Sequence, residues 1–554
     1  MLTINFKKWN TITGWIAFLI AITVYTLTLE PTVSFWDSGE YIATSAKLEV
    51  GHPPGAPLFQ MIGAFAAMFA TSPDKIAAMV NMVSALSSAF AVLFMFWSAT
   101  NILMKVVKIG TENITNNTVI AVLGSCLIGA LTFTFSDTFW FSAVETEVYA
   151  MATFMLALLL WLGLRWIDAI DEPRGNKWLL LIALVVGMSF GVHFMALLAI
   201  PSIGYLYYFK KYPQVTIKNF IIANILVVAI LLVVFGFILP YTMIFFGKSE
   251  IFFVNSIGLP FNSGTIIAFA IVVSLFVFGL KITRVKQKQF ANTLILSILF
   301  MFIGFSCWLM LPIRANTQIP INENKPSDAA ELLDYYNRKQ YGERSLFYDT
   351  YFTVKYGGEL DPSQPYKDGK VDYERDYTTG KYIVLNDGKN AEQNYSSRFK
   401  GFLPRLWEPT LAANYMDFTK PVDFKLKPEY ASEPELMEMA AQLKAQAQSG
   451  RVSMSYYDSV LRQMSEYIDI KKPGFIDNMS FMFNYQFGYM YTRYLMWNFA
   501  GRQNDIQGYN DRLYGNWISG IKFLDEIRLG SQENLTSDML NNKGRNVYYM
   551  LPFI

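Results

Sequence analysis

The chain has 554 residues, of which 53% are hydrophobic and 16% aromatic, while only 16% are charged and the formal net charge is +2. Such a composition, with a mean hydropathy of +0.26, excludes an ordinary water-soluble globule and indicates an integral membrane protein. The near-neutral balance leaves no basic footprint for nucleic acid.

The charges are unevenly placed, since 17 of the 46 Lys and Arg and 13 of the 44 Asp and Glu precede Arg314. This pattern predicts a membrane domain over 1–313 followed by a water-exposed domain. Cys126 and Cys307 both lie in apolar runs and form neither a disulfide framework nor a metal knuckle.

A bilayer core needs about 20 apolar residues per helix. The first apolar run, 12–29, follows Lys7 and Lys8 but lacks a small-residue cleavage site, so it reads as a transmembrane helix rather than a signal peptide. Further spans are predicted at 76–104, 118–135, 144–164, 178–190, 193–209, 219–245, 264–280 and 291–312. The stretch 178–209 is split near Gly191, because it is too long for one crossing. Residues 57–70 follow Pro53-Pro54 and are too few to span, which predicts a short surface-lying or re-entrant helix.

Lys and Arg are retained in cytoplasmic loops. Lys7 and Lys8, Lys105 and Lys108, Arg165 with Arg174 and Lys177, Lys210 with Lys211 and Lys218, and Arg284 with Lys286 and Lys288 all fall on one side under this count of spans. The N-terminus is then cytoplasmic and the domain after Arg314 extracytoplasmic. The same sorting places Asp37, Glu40, His52, Asp137, Glu145, Glu147, His193 and Arg314 at the outer ends of helices. Ionisable groups at membrane depth are costly and usually line a cavity, so their gathering on one face predicts a site at the outer boundary.

The first such stretch is FWDSGEYIATSAKLEVGHPPGAPLF, residues 35–59. Asp37 and Glu40 are one turn apart if a helix starts near Ser38, which directs both carboxylates to one side. A solvated loop with Asp37 as N-cap is the plainer reading; the stiff, donor-poor Gly51-His52-Pro53-Pro54-Gly55 that follows suits a loop of fixed shape beside a ligand. In SDTFWFSAVETEVYA, residues 136–150, Glu145, Glu147 and Tyr149 again stand at an outer helix start, where the helix dipole alone accounts for acids. His193 in SFGVHFMALLAIP is one of only two histidines and reads either as a structural residue or as a ligand. Arg314 leaves the last long span, where it either snorkels to headgroups or clamps a lipid-linked phosphate with its planar fork.

Beyond Arg314, YASEPELMEMAAQLKAQAQSG predicts an exposed helix capped at Ser432 and ended at Gly450, with a second helix near 454–468. KYIVLNDGKN and YFTVKYGGELDPSQP carry strand-and-turn chemistry, so 314–479 is expected to be an α+β domain. Residues 480–545 open with the aromatic SFMFNYQFGYMYTRYLMWNFAG, which suits a helix at the membrane interface. Residues 546–554 read as the start of a further hydrophobic segment.

Taken together, a short acidic motif after the first span, a second acidic loop and a domain after the last span resemble the GT-C superfamily of polyprenyl-phosphate-dependent glycosyltransferases. The order and spacing of the first acidic stretch, AVETEVYA, SFGVHFMALLAIP, LPIRANTQ, YYNRKQYGERS, MWNFAGRQNDIQG and GNWISGIKFLDE resemble large Bacteroidetes membrane proteins related to the animal transmembrane O-mannosyltransferase. The resemblance implies a mainly α, polytopic GT-C-type protein of about nine spans with an extracytoplasmic α+β domain, in the inner membrane of a bacterium. It implies inverting transfer of a sugar, mannose foremost, from a polyprenyl phosphate to Ser or Thr of a translocating protein. Asp37 corresponds to the family's first-loop acid and is assigned as general base, with Glu40 orienting it or the acceptor. Arg314, His52 and His193 are candidates for the donor phosphate or sugar, and Glu145, Glu147 and Tyr149 for the acceptor or a divalent metal, whose requirement the sequence leaves open. Membrane lipids and subunits of an envelope complex are candidate partners. Alternatives are a lipid or cell-wall glycan acceptor on the same fold, or a non-enzymatic transporter or scaffold.

Overall fold

The computed structural model describes residues 5–110, 115–342, 345–506 and 508–550. It divides into two compact units, residues 1–342 with Arg375–Tyr382, and residues 343–374 with 383–553. The chain is mainly α.

The first unit is a helical bundle. Its helices in order are α1 (Phe6–Leu27), α2 (Ser38–Lys47), α3 (Pro57–Ala67), α4 (Ile76–Gly110), α5 (Asn116–Thr134), α6 (Asp137–Ala143), α7 (Val148–Ala169), α8 (Lys177–Ser189), α9 (Ala199–Lys211), α10 (Ile217–Leu232), α11 (Leu239–Asn255), α12 (Ser263–Val285), α13 (Gln289–Phe305), α14 (Met310–Ala315) and α15 (Ala329–Tyr336). A π-helical segment, Val233–Ile238, joins α10 to α11. Side chains at N-caps start several of them: Asn5 accepts from the Lys8 N–H, Thr115 from Thr118 and Thr216 from Asn219.

Seven helices or continuous helical runs among the described residues are long and apolar enough to cross a membrane: Phe6–Leu27, Pro73–Lys108, Asn116–Thr134, Val148–Ala169, Ile217–Asn255, Ser263–Val285 and Gln289–Ala315. The other two predicted spans, 178–190 and 193–209, form helices of 13 residues each, α8 and α9. At 1.5 Å per residue each is about 20 Å long, short of a full hydrocarbon core. The expected α3 is present and likewise too short to cross.

The break between α8 and α9 falls at Gly191. A Cβ there would collide with Cys307 Sγ and lie 3.0 Å from Leu58 Cβ. Its carbonyl accepts from the first N–H groups of α3, Leu58 at 2.9 Å and Phe59 at 3.3 Å. Glycine thus lets α3 dock end-on against the turn, which satisfies donors that a helix start leaves orphaned.

Two apolar clusters fill the bundle. One runs through α7, α8, α9 and α13 around Leu159, Phe190, Ile203 and Trp308, and the other joins α1, α4 and α5 through Ala17, Ala21, Ala89 and Phe96. In contrast Ile225, Phe237, Phe269 and Leu275 on α10–α12 are exposed, as lipid-facing side chains are.

The second unit is α+β. Its short antiparallel pairs include Tyr348–Thr350 with Lys400–Phe402 and Phe424–Leu426 with Ile468–Ile470, around a core of Phe352, Tyr356, Phe399, Phe424 and Tyr457. Lys381–Asn386 is a strand as expected, but YFTVKYGG forms a 3-10 helix, Phe352–Tyr356. The reason is a buried polar contact: Lys355 reaches Asp458 at 2.6 Å and the Tyr356 hydroxyl donates to it at 2.5 Å, which needs adjacent residues turned the same way rather than alternating.

The helix predicted after Ser432 spans Pro434–Gln448, with Glu433 rather than Ser432 at its N-cap and Gly450 at φ +69° beyond its end. The second helix stops at Gln463, before the strand Ile468–Ile470. The aromatic stretch is helical from Phe475 to Phe499, with a π-helical middle, Met482–Arg493. Of the hydrophobic segment expected at 546–554, Asn546–Val547 pairs with Gly501–Arg502, and residues 551–554 lie outside those described.

Candidate active site

The first acidic stretch builds its own frame. Helix α2 starts at Ser38 with Asp37 as N-cap, and ends with Leu48 in the left-handed region at φ 51°. There the Leu48 N–H donates to Ser45 O at 3.2 Å and the Glu49 N–H to Thr44 O at 2.7 Å, the pair of bonds of a Schellman ending. The chain therefore folds straight back along α2, bringing His52 beside Glu40. A Cβ on Gly51 would stand 2.6 Å from Glu40 Oε1, so only glycine lets the carboxylate pass.

Glu40 then holds His52 twice. The His52 N–H donates to Glu40 Oε1 at 2.6 Å, and the ring Nδ1 lies 2.9 Å from Oε2. The other ring nitrogen, Nε2, faces Asp37 Oδ2 at 3.9 Å. The Asp37 side chain makes no cap bond to α2 and is 57% exposed, so its carboxylate is available in front of the imidazole.

The bond to Glu40 raises the His52 pKa above its ordinary value against the opposing effect of burial, with the charges of Glu40, Asp37 and Glu323 adding to it. Burial pushes the Glu40 carboxyl up, but its bonds to the His52 ring and main chain outweigh that and hold it below the usual range.

Three contacts pin this loop from outside. The Tyr335 hydroxyl donates to Gly51 O at 2.6 Å and to His52 O at 3.2 Å. Val50 bridges the segment after α14, its N–H to Ile321 O and its carbonyl from Glu323 N–H, each 3.1 Å. Arg314 donates through Nε to Leu48 O at 2.6 Å and through Nη2 to Lys47 O at 3.1 Å. Arg314 therefore grips the end of α2 opposite Asp37, about 15 Å along the helix for its ten residues.

The second acidic loop closes on the first. The Glu30 N–H donates to Val144 O at 3.0 Å, and Ser34 Oγ donates to Glu145. Glu147 is the N-cap of α7 but makes no side-chain cap bond. Its carboxyl is pushed up to about 7 by burial and by the charges of Asp37 and Glu145, against hydrogen bonds from the main chain of Val148 and Asp37. Burial likewise raises Glu145, partly offset by Ser34. Buried Tyr41 sits among these groups, its hydroxyl pushed up by burial and by Glu147, Asp37, Glu40 and Tyr149.

Tyr149 packs on His193 with ring centroids 5.3 Å apart. His193 has a structural bond too, since Nδ1 accepts from the Met195 N–H at 3.1 Å, which leaves the proton on Nε2. Among the described residues no group of three or more His, Cys, Asp or Glu is placed to hold a metal ion.

Asp37, Glu40, His52, Glu145, Glu147, Tyr149 and His193 thus share the end of the bundle where α1 finishes and α4 and α7 begin. Sequence reasoning missed Tyr41, Asn81, Thr146 and Tyr335; for Asn81 the available signal was an amide inside an apolar helix.

These elements define a polytopic helical membrane protein with paired acidic loops and a carboxylate-bound histidine at one end of the bundle. Residues 37–216 match the family described as Protein O-mannosyl-transferase TMEM260 N-terminal domain, and residues 342–483 match a family of unknown function, DUF8416. The Protein O-mannosyl-transferase tmem260 of Dictyostelium discoideum is 28% identical over 148 residues, 26% of this chain and 16% of that protein. The Protein O-mannosyl-transferase TMEM260 of Mus musculus is 28% identical over 169 residues, 30% of this chain and 21% of that protein. The aligned stretch therefore spans about a fifth or less of these relatives. No solved structure matches.

Proposed function

We propose that the chain is a membrane glycosyltransferase that moves a sugar, mannose foremost, from a polyprenyl phosphate to Ser or Thr hydroxyls of proteins. The observation that carries this reading is the Asp37–His52–Glu40 arrangement, which lies inside the region similar to an O-mannosyl-transferase domain. Asp37 takes the proton of the acceptor hydroxyl as its oxygen attacks the anomeric carbon. The bond from that carbon to the phosphate oxygen breaks on the opposite face, and the phosphate leaves with the electron pair, which inverts the centre.

His52, whose protonated form the bond to Glu40 favours, supplies positive charge to the departing phosphate. His193 adds a neutral Nε2–H donor beside Tyr149. Arg314 supports the step by holding α2. The distribution of Lys and Arg favours a cytoplasmic N-terminus and a site on the outer face of the membrane, which by the resemblance is a bacterial inner membrane. The exposure of Asp37 supports access for a hydrophilic acceptor such as a translocating polypeptide.

The test compares purified wild type and Asp37→Asn in transfer of radiolabelled mannose from polyprenyl phosphate to Ser/Thr peptides. Transfer by wild type that drops about 100-fold or more in the variant is expected for loss of a general base. Equal transfer by both removes Asp37 from the centre, and none by a folded, donor-binding wild type points to a lipid or glycan acceptor or to a scaffold.

A further inference from the structure

Asn81 is fully buried in the second turn of α4, and every polar atom of its side chain is used. Nδ2 donates to Glu30 O at 2.7 Å and to Thr32 O at 3.0 Å, and Oδ1 accepts from Thr146 Oγ1. One amide therefore grips the loop that leads into Asp37 and the loop that holds Glu145 and Glu147. These loops are over a hundred residues apart in the chain. Asn81 itself stands on the helix that packs against both α1 and α7, so the grip is referred to a rigid body rather than to another loop.

Such a residue at membrane depth needs all its partners, since an unmet donor or acceptor there carries its full desolvation penalty. Ser or Ala would keep the helix and fill less space. What only an amide offers at this place is two donors toward one loop and an acceptor toward the other.

We infer that Asn81 is a positioning residue, which with Thr146 sets the Asp37 loop against the Glu145–Glu147 loop. The inference rests on the proposed function for its kinetic consequence but not for its structural one. If the two loops shift by about 1 Å, a base and its substrate lose alignment, and a displacement of that size can cost about 100-fold in rate.

The experiment uses the full chain in lipid nanodiscs, with Asn81→Ala, Thr146→Val, Thr146→Ser and the double variant Asn81→Ala/Thr146→Val. Hydrogen exchange is expected to rise together in residues 28–37 and 143–147 for Asn81→Ala, with α1, α4 and α7 unchanged. Thr146→Val is expected to loosen the same two segments, and Thr146→Ser to restore wild-type exchange because it keeps the hydroxyl. In the transfer assay kcat should fall about 10- to 100-fold with little change in the KM for the lipid donor, and the double variant should be no worse than Asn81→Ala, the signature of one shared interaction.

Exchange that rises through the helices as well shows a merely structural residue and overturns the inference. So does unchanged exchange in both loops, or fully additive losses in the double variant. A wild type inactive in transfer sinks the glycosyltransferase reading alone, because the exchange comparison needs no substrate and still decides whether Asn81 couples the loops.

Discussion

Glu40 binds His52 through both the main chain and the ring, so one carboxylate fixes the position of the imidazole and its proton together. The chain contains only these two histidines, His52 and His193, which makes the relationship directly measurable. Ring-labelled protein should show the His52 signal titrating above 6.5, with His193 assigned by His193→Gln. In Glu40→Gln the His52 pKa should fall, because its bond to a charged partner is lost. Above the lowered value the ring is neutral, so the loss of transfer in Glu40→Gln should grow as pH rises from 6 to 8. An unchanged His52 titration would show that Glu40 does not set its charge.

Glu147 gives the opposite kind of pH effect, a cost rather than a support. Its folded-state pKa, about 7, lies above the ordinary 4.5, so the folded protein holds this proton more tightly than the unfolded chain. The stability linked to the proton is complete below pH 4.5 and is lost as pH rises through 7, about 3 kcal/mol in all. Glu147→Gln carries no proton to lose. The difference in melting temperature between Glu147→Gln and wild type should therefore widen from pH 5 to pH 8 in favour of the variant, measured in the same detergent.

The hairpin tip Arg375–Tyr382 is stapled within the first unit by buried charge. Arg375 Nε lies 2.8 Å from Asp328 Oδ2, with side chains only 8% and 1% exposed. The Tyr382 hydroxyl donates to the same carboxylate at 3.1 Å, and the Tyr382 main chain exchanges two bonds with the Asn255 amide. Arg375→Ala removes the cation paired with buried Asp328, whose carboxylate keeps the Tyr382 hydroxyl and the Ala330 and Glu331 N–H groups, and breaking a buried pair in this way costs up to about 3–5 kcal/mol. Limited proteolysis should then cut between residues 372 and 386 at least tenfold faster than in wild type, and Arg375→Lys should fall between the two.

Much of the bundle was legible because membrane helices advertise themselves by apolar runs. Even the interruption between α8 and α9 showed, since a glycine inside a run too long for one crossing marks a close approach. The acidic loops were legible as outliers against that background. Their internal pairing was not: that Glu40 meets His52 depends on a left-handed Leu48, a position where glycine is the usual signal. Nor could the sequence show that Arg314 donates to carbonyls at the end of α2, the nearer of them 266 residues earlier, because main-chain acceptors carry no side-chain signature. In the second unit, YFTVKYGG has the β-branched and aromatic content of a strand, and a buried Asp458 from elsewhere in the chain decides otherwise.

Glu250 shows such a tertiary partner acting on a helix other than its own. It is fully buried in α11, where its carboxylate accepts from the N–H groups of Asn262 at 2.5 Å and Thr265 at 2.8 Å and from the Thr265 hydroxyl at 2.9 Å, all at the start of α12. Gly264 permits this, since a Cβ there would meet Glu250 Cα at 2.5 Å. A carboxylate on the preceding helix thus serves as the N-terminal anion of the next one. The Tyr382 hydroxyl adds a further bond to the same carboxylate at 3.3 Å, so a side chain of α11 closes the first turn of α12. Losing that one carboxylate would therefore uncap α12 and unlatch it from α11 at the same point, so cap and helix–helix contact stand or fall together.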